Sequence, residues 1–241
     1  VTEALGYALV AAAANVLGAL AVARGAASSY KVIEPLVAFS AGFMLAVVLT
    51  EILPEALGRS GSAAPVLVLL GYLAVHLSQH TVTPHFHFGE ETHPVSAGAA
   101  RSALVGLLLH TFFDGVAIAS AFLVGPDLGI VVFVAIFLHK LPEGATISSL
   151  TLAAGGGRRR AVLAAAALGL ASLLGVALTD RVGFLVRHGL ALAGGVTLYV
   201  AASNLVPEFQ GKRGWQTPLA LLAGAAVFFG LHSLLVRALA R

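Results

Sequence analysis

Apolar runs of about twenty residues recur along the chain, and that length spans the hydrocarbon core of a bilayer. Eight can be marked, at 2–23, 33–53, 63–83, 98–123, 127–152, 160–178, 183–206 and 216–236. Lipid offers no water to unpaired backbone groups, so such runs must be helices or strands of a closed barrel. None shows sustained alternation of apolar and polar residues, which leaves helices. Composition agrees: only 10% of the 241 residues are charged and 59% are hydrophobic, against about 25% charged in a soluble domain. The expected fold class is therefore an all-α integral membrane protein of eight transmembrane helices, one transmembrane domain over 1–241.

The formal charge of +3 and the pI near 9.6 do not imply a nucleic-acid partner. The basic residues sit in short loops between the runs, where they orient membrane helices. Loops 1–2, 3–4, 5–6 and 7–8 hold eight of them (Arg24, Lys31, Arg101, Arg158, Arg159, Arg160, Lys212, Arg213), and the opposite side holds five (Arg59, Arg181, Arg187, Arg237, Arg241). That bias predicts both termini on the extracytoplasmic side of a plasma or bacterial inner membrane. The first run has Glu3 and no basic residues before its apolar core, so it reads as a span and not a signal peptide. Cysteine is absent, which excludes disulfides and thiolate metal ligands.

An internal echo links "AGFMLAVVLTEILPE" (41–55) to "GGVTLYVAASNLVPE" (194–208), matching Gly42 with Gly195, Leu45 with Leu198, Pro54 with Pro207 and Glu55 with Glu208. Spans 2 and 7 cross in opposite senses, so the echo predicts inverted repeats (spans 1–3 and 6–8) around spans 4–5. Transporters with midplane substrate sites use that plan.

Spans 4 and 5 join in a tight turn at Gly125, Pro126 and Asp127. His110 lies 15 residues before Gly125 and His139 lies 14 after it, so both imidazoles fall at one depth near the bilayer centre. Asp114 and Glu143 each follow a histidine by four, on the same helix face. The result is a predicted ladder of nitrogen and oxygen donors across the hairpin. A charge at that depth costs about 2.5–3.5 kcal/mol on insertion scales, and a bound divalent cation offsets the cost. Pro142 removes one backbone N–H and frees the carbonyl of Leu138 to face a polar path. Neutral imidazoles are needed for ligation, so uptake should fade in acid, below about pH 5.

Further candidates flank the hairpin. Glu51 and Glu55 end span 2 and could gather cations at an outer entrance. His76, His80 and Glu208 are exit candidates, and the loop 84–97 offers His85, His87 and His93 as a metal-collecting segment. His188 and His232 read as structural. Two rival functions use similar groups: an intramembrane metallohydrolase, which would want a His-Glu-x-x-His motif that is missing here, and a metal-free proton or solute carrier.

"HTFFDGVAIASAF" (110–122) and "HKLPEGATISSL" (139–150) resemble the paired fourth- and fifth-helix motifs of the ZIP (Zrt/Irt-like) metal transporters. That family has eight spans, a His-rich cytosolic loop between spans 3 and 4, and a Pro-Glu ending on span 2, and this sequence is similar in all three respects. The resemblance implies that the chain is no enzyme. It implies uptake into the cytosol of a divalent metal, zinc first, with iron, manganese or cadmium as others, and a metal site at His110, Asp114, His139 and Glu143. It also marks two departures. Thr111 stands where many members have Asn, and Lys140 stands where many have a carboxylate, at a second metal position. Span 6 adds no acid. One bound metal is expected, with Lys140 occupying or neutralising the second position. Expected partners are the metal ion and membrane lipid, and helix faces rich in small residues leave a homodimer open.

Overall fold

The computed structural model describes residues 2–25, 30–79, 97–207 and 214–239. Among these the chain is helical throughout apart from short turns, with no strand. The elements are α1 (Thr2–Ala23), α2 (Tyr30–Val47), α3 (Leu53–Ser60), α4 (Ala64–Leu77), α5 (Ala97–Val124), α6 (Pro126–Ala153), α7 (Arg158–Thr179), α8 (Gly183–Tyr199) and α9 (Gln216–Leu239). A wider π-helical turn, Val48–Ile52, joins α2 to α3, and a second one, Val200–Leu205, extends α8.

Seven described helices are long and apolar enough to cross a bilayer. The sequence suggested eight spans; the difference lies in Glu34–Leu77, a single helical run of 44 residues. Pro54 does not end this run, contrary to expectation. A π turn pairs backbone groups five residues apart instead of four, so the Val48–Ile52 segment absorbs the donor that Pro54 lacks and the helix continues to Ser60. The direction reverses at Gly61, whose φ of 55° suits a residue without Cβ. Ile52 lies beside Gly194, and Ser60 Oγ donates to Arg187 O at 3.4 Å, so α3 runs antiparallel to α8. From there α4 returns along α8 until Val75 packs on Val196 and Tyr199. His188 Nδ1 pairs with Ser60 Oγ at 3.0 Å and helps to pin the bend.

Helices α1, α5, α6 and α7 pack together, and the pairs α2–α9 and α4–α8 flank them. Small residues set these contacts. A Cβ on Gly42 or Gly224 would overlap a carbonyl oxygen of the facing helix (Leu221 and Phe39), and Gly195 and Gly71 stand in the same relation to Val68 and Leu192. In lipid there is little hydrophobic drive between helices, so this close backbone approach supplies the van der Waals contact that holds them. Many large apolar side chains point outward: Leu9, Leu17, Leu163, Leu170, Leu222 and Phe229 are exposed. A surface of that kind suits lipid.

Candidate metal centre

Gly125 alone separates α5 from α6, and the hydrogen-bond ladders of both helices run into it: Gly125 N–H donates to Ala121 O and Gly129 N–H to Gly125 O, each at 3.0 Å. The hairpin therefore has the register expected from the sequence. The rings of His110 and His139 face each other with centroids 5.5 Å apart.

Asp114 and Glu143 reach the same point. One ligand atom from each of His110, Asp114, His139 and Glu143 lies within 4.8 Å of the others, and all four residues are buried. Asp114 Oδ2 is 3.2 Å from His110 Nε2 and 3.5 Å from His139 Nε2; Glu143 Oε2 is 3.8 Å from both. The predicted ladder is thus a single cluster, because the carboxylates bend toward the midpoint instead of staying a turn apart. Bonds of about 2.0–2.1 Å to a tetrahedral zinc put its donors about 3.3 Å apart; the Asp114 spacings of 3.2 and 3.5 Å are near that value, and the Glu143 spacings of 3.8 Å are wider.

His139 is prepared for this chemistry. Its Nδ1 lies 3.1 Å from Ala135 O, which can only accept, so Nδ1 carries the proton. Nε2 faces Asp114 Oδ2 and Glu143 Oε2, and among the described residues it has no hydrogen-bond partner. That leaves the nitrogen placed to ligate a cation shared with the carboxylates.

Lys140 was expected to occupy or neutralise a second metal position beside the four donors. It is fully buried. Its Nζ donates to Asp114 Oδ2 and Glu143 Oε2, both at 2.5 Å. Those are the oxygens that face the imidazoles, so the ammonium belongs to the same cluster. Thr111 Oγ1 donates to the other oxygen, Glu143 Oε1, at 2.6 Å.

The carbonyl freed by Pro142 does not face a polar path. Ser40 Oγ on α2 lies 3.1 Å from Leu138 O and 2.7 Å from Leu36 O, so its one proton is shared between them. Nothing in the sequence pairs residues 98 positions apart. Ser40→Ala should leave Leu138 O unpaired and lower stability by about 1 kcal/mol, read as a lower melting temperature in detergent with the metal site intact.

Of the flanking candidates, Glu51, Glu55 and His76 do not belong to this cluster. Glu51 lies in the π turn with Oε1 3.4 Å from His232 Nδ1, a partner that the sequence reading left out. Glu55 is half-buried on α3. His76 packs edge-on against Tyr199, with centroids 5.7 Å apart. His80, His85, His87, His93 and Glu208 lie outside the described residues.

Residues 87–236 match the family described as ZIP Zinc transporter. The chain is also 34% identical over 185 residues to zinc transporter ZupT of Enterobacter sp. (strain 638), covering 71% of this chain and 70% of that relative. The chain belongs to the ZIP family. Zinc transporter ZIP9-A of Xenopus laevis is 31% identical over 161 residues, 61% of this chain and 52% of its own length. Zinc transporter ZIP6 of Homo sapiens is 35% identical over 119 residues, 46% of this chain. The match spans only 16% of ZIP6. Family membership and the apolar helices make the chain a multi-pass membrane protein. The paired His motifs of this ZIP chain both fall inside the matched region.

Proposed function

We propose that the chain carries a divalent metal ion across the membrane toward the cytosol, with zinc as its foremost substrate and His110, Asp114, His139 and Glu143 as the binding site. The observation that carries this reading is the convergence of two imidazoles and two carboxylates from antiparallel helices onto one buried point. An N₂O₂ donor set without thiolate suits zinc and still permits release, and it tolerates iron, manganese or cadmium. The relatives are named for zinc transport. A transporter fits better than an intramembrane hydrolase, since Thr111 and Lys140, and no carboxylate, stand directly after the two histidines where His-Glu-x-x-His has its base.

In this reading the two arms of Glu34–Leu77 are separate passes, making eight. The glycine contacts support an inverted repeat. Phe39, Gly42, Val68 and Gly71 correspond, each 153 positions on, to Leu192, Gly195, Leu221 and Gly224, and the pairs touch in the same way. The π turns at Val48–Ile52 and Val200–Leu205 occupy the same repeat position. Basic loops then place both termini outside. Glu51 and Glu55 serve the entrance, and His76, His80, Glu208 and the loop 84–97 serve the exit.

One metal binds, because the Lys140 ammonium, bonded to both carboxylates, repels a second cation. A competitive uptake panel in proteoliposomes tests the reading on wild type, His110→Ala and His139→Ala. Zinc uptake should be saturable, outcompete the other metals and drop at least about a hundredfold in either variant. Elemental analysis should return one zinc per chain. Uptake equal to wild type in both variants would sink the site; acidification without metal flux would favour the metal-free carrier.

A further inference from the structure

Lys140 poses a question that ligand geometry does not answer. A cation fixed beside a cation site opposes binding, and here it is fully buried and bonded to both carboxylates. The consequence is clearest in the charge of the cluster. Asp114 and Glu143 contribute two negative charges and Lys140 one positive charge, with the imidazoles neutral. The empty cluster carries a net single negative charge. A divalent ion turns it into a net single positive charge.

The same cluster with a neutral residue at 140 would alternate between two negative charges and none. The desolvation cost of a buried charge rises with its square. Without Lys140 the empty cluster would cost roughly four times what it costs with Lys140, while the loaded cluster would cost little. A carrier must turn its site both loaded and empty to complete a cycle. Such a variant would cross readily with metal and return poorly without it.

We propose that Lys140 is a tethered counter-cation that equalises the charge of the empty and loaded site, so that the protein performs net uptake instead of metal-for-metal exchange. This rests on the metal-transport reading above and adds a role to it. The ammonium also weakens binding, which favours release on the cytosolic side. Thr111 supports the arrangement by holding Glu143 Oε1, which leaves Oε2 to Lys140.

The test uses the full chain in proteoliposomes and radiolabelled zinc. Net uptake is measured into metal-free vesicles, and exchange into vesicles preloaded with unlabelled zinc. In Lys140→Met and Lys140→Gln the ratio of net uptake to exchange should fall about tenfold, and zinc binding at equilibrium should tighten about tenfold. Lys140→Arg should restore the ratio. A ratio unchanged in both neutral variants, in protein that still binds zinc, overturns the proposal and leaves the metal site standing. A wild-type protein that neither binds nor exchanges zinc overturns the metal reading itself, and this role with it.

Discussion

Removing both carboxylates, Asp114→Ala with Glu143→Ala, should abolish metal uptake and destabilise the protein by about 3–5 kcal/mol. Two effects combine. The cluster loses both oxygen donors, and Lys140 loses both of its 2.5 Å partners while remaining buried in the middle of the helices. An uncompensated ammonium there has no water to turn to. Adding Lys140→Met to the pair removes that charge, so the triple variant should regain most of the lost stability and none of the transport. Uptake in proteoliposomes and thermal melting in detergent separate the two effects. A triple variant no more stable than the double would mean that Lys140 is not held by charge pairing.

Gly18→Val should be strongly damaging although Gly18 is not part of the metal centre. A Cβ at Gly18 would overlap Leu141 O and press on Ala145 N, both of them backbone atoms of α6. Backbone cannot step aside as a flexible side chain can, so α1 would have to move off α6. Gly144 meets Asn15 O in the same contact, so the displacement would spread to the helix that presents Glu143. A loss of about 3 kcal/mol or more is expected. Gly6 is on the same helix with nothing within 4 Å of its missing Cβ, so Gly6→Ala should be neutral or stabilising by up to about 1 kcal/mol. Melting of the two variants side by side checks the contrast, and equal stability would remove the packing argument.

These details mark the boundary of what could be read in advance. The four donors were legible because depth in a hairpin is counted from its turn, and the histidines lie 15 and 14 residues from Gly125. Helix existence was legible because lipid permits little else. Lys140 was expected to occupy or neutralise a second metal position; that its ammonium bonds both Asp114 and Glu143 was not legible. A four-carbon side chain can reach several ways, and only the packed positions of the two carboxylates decide which. Span 2 was expected to end at 53, and its helix runs on to Ser60, because a π turn leaves no mark on hydrophobic periodicity. The pairings of Ser40 and His232 were not legible for another reason. Each acts on a partner far along the chain, Leu138 and Glu51, and such pairs exist only once the helices are packed.

The joint at Gly125 has a mechanical consequence. A linker of one residue has no slack, so neither arm of the hairpin can slip by a turn past the other without breaking the bonds at Ala121 O and Gly129 N. In the proposed transport cycle the depths of His110 and His139 relative to each other would therefore stay matched, because the joint that sets them cannot slide.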